Sequence, residues 1–279
     1  MQTVHVNNEQ RLAWDNIAKG YDKYVTDSEE WLANKVLNLA DLKPGQTLLD
    51  VAAGCGGLSL PAARLGAKVV ATDWSPEMIR LFEARVQKEN LDNAVGKIMD
   101  GHHLEFDDNH FDLVVSLFGV MLLPDQPRAL REMVRVAKPG GKVLTVGYGT
   151  PDKIEFINMF IEGLQQLRPH FPGLPSEPPP LEFQAADPEV LQARLKEAGL
   201  TQVQVHSVVE ELEFESGHAL WNWILHGNPI VGHILSALEV SDMEKNSLIS
   251  LIDDKLTEKK NTTGAATLKN MINIGHGMK

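Results

Sequence analysis

Residues 46–60, QTLLDVAAGCGGLSL, constrain the chain more than any other stretch. Thr47-Leu48-Leu49 is a short apolar run that ends in an acid, Asp50. Small residues follow from Val51 to Gly57, and Leu58 to Leu65 then has helical spacing. The order is strand, glycine-rich turn, helix. A turn of this kind lets the backbone approach a ligand closely and points the N–H groups of a helix N-terminus at it.

Two ligands compete for such a turn, beside the plain reading of an αβ turn that holds nothing. A nicotinamide dinucleotide would lay its pyrophosphate against Gly54, Gly56 and a third small residue. A carboxylate at the position of Asp50 would repel that pyrophosphate. S-adenosylmethionine has a sulfonium and an ammonium group and no phosphate, so it tolerates Asp50. The acid at the strand end leans toward S-adenosylmethionine, while an NAD-dependent oxidoreductase stays open as the alternative.

The rest of the chain repeats the unit. Ala67–Thr72 reads as a buried strand ending in Asp73, 23 residues after Asp50. An acid at this place can accept both hydroxyls of a ribose. Ser75-Pro76-Glu77 is a strong helix start, with Trp74 and Met78 placed to flank an adenine. Residues 94–99 form a third strand leading into Asp100-Gly101-His102-His103. Phe111–Phe118 is a fourth, Pro127–Val136 a helix, Lys138–Gly141 a turn, and Lys142–Tyr148 a fifth strand. This alternation predicts a doubly wound, Rossmann-like α/β sheet, mostly parallel, with ligands beyond the carboxyl ends of the strands. Asp50, Asp73, Asp100 and Ser116–Phe118 all fall on that edge.

The flanks are helical. Trp14, Ile17, Ala18, Tyr21, Tyr24 and Val25 recur at helical spacing, and so do apolar positions from Trp31 to Ala40. Residues 1–45 are therefore expected as an N-terminal helical lid, with Tyr21, Tyr24 or Trp31 lying over a cofactor, and 46–150 as the cofactor-binding core. Residues 151–279 complete a seven-stranded sheet (about 187–209 and 265–276). They carry inserted cap segments at about 151–183 and 214–262.

Composition excludes several functions. The formal charge is −12 and no Lys/Arg cluster stands out, so nucleic acid is a poor partner. No apolar run approaches the ~18 residues of a membrane span. The first residues lack a basic segment followed by an apolar one, and one cysteine, Cys55, excludes an intramolecular disulfide. Both observations point to the cytoplasm. Cys55 is expected as a small space-filler. A homodimer is compatible with the sequence.

LLDVAAGCGGLSL, VVATDWSPEMI, MDGHHLEFDDNHFDLVVSLFGVMLLPD and ALREMVRVAKPGGKV occur in order over residues 10–150. In them the chain resembles the class I S-adenosylmethionine-dependent methyltransferases. It looks most like the group of ubiquinone and menaquinone C-methyltransferases and related small-molecule enzymes, which WDNIAKGYDKY near the start also resembles. The resemblance implies S-adenosylmethionine as cofactor. It implies that Asp50, Ala52, Gly54 and Gly56 form the loop holding its methionine part, with Ala52 where glycine is commonest. It further implies Asp73 at the ribose, Trp74 at the adenine, Asp100 with Gly101 and His102 near the adenine amino group, and Leu117 beside the amino-acid part.

No Asn/Asp-Pro-Pro-Tyr element follows the fourth strand, where Ser116-Leu117-Phe118-Gly119 stands, and the two-glutamate loop of arginine methyltransferases is missing. A small acceptor is favoured. A general base, where one is needed, would be histidine at neutral pH. His102, His103, His218 and His226 are the candidates, with His206 and His233 behind them. Pro229 breaks the helix that would bring His218, His226 and His233 together, so no metal site is expected. The aromatic residues of the cap, among them Phe156, Phe160, Trp221 and Trp223, suggest a hydrophobic or aromatic acceptor. A protein that binds S-adenosylmethionine without turnover is the remaining alternative.

Overall fold

A computed structural model describes residues 8–262 and 264–279. The first seven residues of the expected lid lie outside the described residues.

The strands are buried where the sequence is most continuously apolar. β1 (Thr47–Val51), β2 (Lys68–Asp73) and β4 (Phe111–Leu117) lie inside the sheet, and β3 (Ala94–Ile98) forms one edge. β5 (Ala137–Tyr148), β6 (Thr201–Phe214) and β7 (Ala266–Met278) complete seven strands in the order β3-β2-β1-β4-β5-β7-β6. β7 runs antiparallel to both β5 and β6, and the other pairings are parallel. The seven-stranded, mostly parallel α/β sheet expected from the sequence is the one observed.

Three strand lengths differ from expectation. The turn expected at 138–141 is drawn into β5, because Phe111 pairs with Ala137 before the register shifts to Leu113 opposite Lys142. β6 runs to Phe214 instead of 209, and β7 to Met278 instead of 276. Tyr148, the last residue of β5, pairs with Ile272. The β6–β7 ladder continues past that point, from Val209 opposite Met271 to Phe214 opposite Ala266. The β6–β7 pair thus overhangs the carboxyl edge of the sheet.

The overhang carries the cap. α6 (Glu155–Leu167), α8 (Gly217–Gly227), α9 (Pro229–Ala237) and α10 (Asp242–Thr257) bury Phe160, Trp221, Leu235 and Ile252 against Leu212, Phe214 and Leu268 of β6 and β7. Pro229 opens α9 and ends α8, as its missing N–H dictates. Two further cores flank the sheet. One lies under α2 (Glu30–Ala40) and α3 (Ser59–Arg64), the other under α5 (Gln126–Val136) and α7 (Pro188–Glu197). α1 (Asn8–Tyr24) reaches over the sheet edge to α4 (Pro76–Glu89). There the Asp15 carboxylate accepts from Ser75 Oγ and from Glu77 N at 3.3 Å. Arg85 of α4 bonds Asp22 and Asp27 at the other end of the lid. No helix among the described residues is long and apolar enough to cross a membrane.

Candidate active site

One cavity opens at the carboxyl ends of β1, β2, β4 and β5 and runs up beneath the cap. It holds about 1520 Å³ of space, open solvent at its mouth included. At the sheet end the backbone turns left-handed at Ala52 (φ 56°) and Gly54 (φ 55°). That turn delivers the Gly54 N–H to Asp73 Oδ2 at 3.0 Å, while Ser75 N–H reaches Asp73 Oδ1 at 2.9 Å. Ser75 Oγ accepts from Met78 N at 3.1 Å, so the Ser-Pro start of α4 forms as its sequence requires. Asp73 is 7% exposed, and burial pushes its carboxyl up to about 6.

Each Asp73 oxygen holds one N–H and keeps lone-pair directions free for further donors. A ribose diol is such a donor, and Trp74, Met78, Met99 and Gly101 supply flat apolar surface beside it. These residues fit S-adenosylmethionine. Asp50 lies below the loop and outside the cavity wall. Its Oδ2 accepts from Ser59 Oγ at 2.7 Å, its buried Oδ1 has no partner, and burial followed by the nearby Asp73 charge raises it to about 7.

Of the residues expected to hold the cofactor, Ala52, Gly54, Asp73, Trp74, Met78, Gly101 and Leu117 line the cavity. Asp50, Gly56, Asp100, His102 and Tyr24 do not. Tyr24 is turned away and stacks on His226, centroids 5.5 Å apart. Trp31, also considered as a lid residue, is 51% exposed. The residues of the expected lid that line the cavity are Trp14, Tyr21, Val25, Ser28 and Glu29. Cys55 is buried with Sγ 3.4 Å from Met78 Sδ, and burial raises its thiol far above the ordinary range, as suits a space-filler.

The four histidine candidates do not face the cavity. His102 is 3% exposed, with Nδ1 on Asp100 Oδ1 at 2.7 Å and Nε2 accepting from Asp125 N at 3.2 Å. Held at both ring nitrogens, this imidazole is a strut between the β3 loop and the start of α5. His103 is exposed and borders a surface depression with Glu132 and Arg135. His218 is exposed on α8. His226 packs on Gly20 of α1, its Nδ1 buried without a partner. The candidates were chosen by residue type, and the ring directions depend on loops and helix faces that residue type does not fix. Among the described residues no group of three or more His, Cys, Asp or Glu side chains is arranged to hold a metal ion.

The cavity instead contains Tyr21, expected as a lid residue, together with Glu29, Glu182, Glu210 and Tyr148, which the sequence reading passed over. Tyr21 OH donates to Glu29 Oε1 at 2.6 Å. Burial drives the Glu29 carboxyl up to about 8; the Tyr21 hydrogen bond opposes that shift, and the charges of Asp50 and Glu210 add to it. Glu182 accepts from Asn228 Nδ2. Tyr148 packs at a tilt against Phe118, centroids 4.9 Å apart, and burial and then Glu210 raise its phenol well above the ordinary range. Glu210 is 5% exposed, and burial alone lifts it to about 7. Its signal was present in VVEELEF: Glu210, Leu212 and Phe214 share one face of a strand, so the carboxylate stands at a buried phase. No lysine, arginine or histidine occurs among the described residues of the cavity wall.

A model of the methyltransferase domain family matches residues 49–145, which carry the cofactor edge. An uncharacterised protein of Mycobacterium tuberculosis (strain ATCC 25618 / H37Rv) is 37% identical over 141 residues, 50% of this chain and 49% of its own length. The demethylmenaquinone methyltransferase of Renibacterium salmoninarum is 34% identical over 169 residues, 58% of this chain and 68% of its own. Among solved structures, the Haemonchus contortus phosphoethanolamine N-methyltransferase 2 in complex with S-adenosyl-L-methionine shares the fold. That match has a TM-score of 0.55 at 22% identity and covers 89% of this chain and 52% of that one. The chain belongs to the class I S-adenosylmethionine-dependent methyltransferases, whose cofactor is S-adenosylmethionine. Within that class it is related to the quinone methyltransferases, and it spans about half the length of the mycobacterial relatives it matches.

Proposed function

We propose that this protein transfers a methyl group from S-adenosylmethionine to a small hydrophobic or aromatic acceptor held under the cap. The carrying observation is the continuity of one cavity. It begins at Gly54 and Asp73, on the matched cofactor edge, and ends against Phe156, Phe160, Phe183 and Trp223. The lid and cap around it restrict access by water, and placing the reacting groups is most of what such a transfer asks of a protein. S-adenosylmethionine, when bound, supplies a methyl group already activated by its sulfonium. Asp73, Trp74 and Met78 orient the nucleoside half. Glu29, held by Tyr21, offers a carboxylate to a cationic group near the loop. Phe118 and Tyr148 set the floor on which the acceptor rests. The cytoplasm is the compartment we assign to it.

An NAD-dependent oxidoreductase is disfavoured, because the described wall offers no cation to a pyrophosphate. Calorimetry decides between the readings. S-adenosylmethionine should bind the wild type, and Asp73→Asn, which keeps the shape and removes the charge, should weaken binding at least about tenfold. Binding of NAD in its place, or an unchanged affinity in Asp73→Asn, counts against the proposal. Methyl transfer to any acceptor separates an enzyme from a protein that only holds the cofactor.

A further inference from the structure

Glu210 differs from the other acids of the cavity. Glu29 has its Tyr21 donor, Glu182 has Asn228, and Asp73 has two backbone N–H groups. Glu210 lines the cavity at 5% exposure with no hydrogen-bond or ion-pair partner among the described residues. Directly across the ladder stands Asn270 of β7. It is fully buried, and neither its Oδ1 nor its Nδ2 has a partner. Residues directly opposite in an antiparallel pair share a face, with Cβ atoms roughly 4.5–5.5 Å apart. The overhanging β6–β7 ladder therefore sets a carboxylate that lines the cavity beside an unpaired amide, that of Asn270, buried outside the cavity wall.

Burying such groups without partners is costly, and a lone carboxylate is the costliest of them. The surroundings offer no internal remedy. Tyr148 feels the Glu210 charge, and Phe156 and Trp223 continue the wall from it in edge contacts at 5.7 and 4.9 Å. The missing partner must supply positive charge and hydrogen-bond donors and must tolerate aromatic faces. An ammonium does all three, since ring faces attract cations and its N–H groups fit a carboxylate. A neutral hydroxyl or carbonyl could share a hydrogen bond with the Glu210 carboxyl but would not stabilise its ionised form.

We infer that the methyl acceptor carries a basic amine on an apolar or aromatic body, and that Glu210 receives its ammonium beneath the cap. This rests on the methyltransferase reading above and names the acceptor class within it. Glu210 acts in it as a binding residue.

The test uses tryptamine and tryptophol, which share the indole and the ethyl chain and differ in ammonium against hydroxyl. Their binding to the full chain saturated with S-adenosylhomocysteine is measured by calorimetry. Tryptamine should bind about tenfold tighter or better, from the strength of a charge-assisted hydrogen bond. Glu210→Gln should abolish that preference, and Glu182→Gln should retain it. Equal affinities in the wild type, no measurable binding of tryptamine, or a preference kept in Glu210→Gln overturns the inference. The wild-type comparison needs no variant, so it stands if Glu210→Gln fails to fold. Failure of the wild type to bind S-adenosylmethionine or S-adenosylhomocysteine would overturn the methyltransferase reading instead.

Discussion

At Ala52 an alanine occupies a left-handed backbone position, φ 56°, at the turn of the cofactor loop. A Cβ there crowds the following carbonyl and costs on the order of 1 kcal/mol. The fold accepts it partly because Gly119, across from it, has no Cβ: one built there would sit 2.5 Å from that of Ala52. Ala52→Gly should therefore stabilise the protein by about 0.5–1 kcal/mol in urea unfolding, despite the extra freedom that glycine gives the unfolded chain. A destabilised variant would show that the Ala52 methyl packs to more effect than its strain costs. The sequence could mark Ala52 as unusual only by resemblance, because φ is not written in residue type except at glycine and proline. The same holds for Phe118, φ 60°, a bulky residue left-handed at the end of β4 and aimed across the cavity. Asp73 was readable for the opposite reason: an acid ending a buried strand before Ser-Pro leaves few places to point.

At the scale of elements, the lid and the cap meet through α1 and α8. Gly20 of α1 forms a notch filled by the His226 ring, and a Cβ at Gly20 would lie 2.1 Å from His226 Nδ1. Trp223 Nε1 donates to Ser28 Oγ at 3.1 Å beside it. Gly20→Ala should push α8 away and cost ~1–3 kcal/mol of stability, as overpacking does. His226→Ala in the same background should recover part of the loss; a double mutant no better than Gly20→Ala would place the strain elsewhere. This contact explains why His226 and Tyr24 were misread. Helical periodicity locates a face but does not say whether that face meets a ligand or another helix. The parallel strands were legible because burial on both sides writes continuous apolar runs. The overhang of β6 was not, because Glu210 at a buried phase resembles a strand end, whereas β7 was expected from residue 265 and begins at Ala266.

For the molecule as a whole, the buried acids set a pH dependence whose sign is fixed. Burial raises Glu29 to about 8, Asp50 and Glu210 to about 7, and Asp73 to about 6. In the unfolded chain these groups return to the ordinary carboxylate range, so between that range and about pH 8 the native state binds more protons. Stability from each group is complete below the unfolded value and is lost as pH rises through the folded one. Each such group costs about 1.4 kcal/mol per pH unit inside its window. Asp112 runs the other way: despite its partial burial, hydrogen bonds from Lys138 and Thr47 hold it at about 2, so its contribution is lost only in strong acid. The cofactor-free protein should accordingly melt at a higher temperature near pH 5 than near pH 8, and a melting curve that rises over that interval would contradict the burial described. A cation entering the cavity acts on the same groups in reverse. S-adenosylmethionine brings positive charge to a wall whose described residues include acids and no bases, so its binding should ionise carboxyls that were neutral and release protons to the solvent. Calorimetric enthalpies near pH 7 should then differ between phosphate and Tris by an amount proportional to the protons released. Equal enthalpies in the two buffers, or proton uptake, would mean that these acids stay neutral around the bound cofactor.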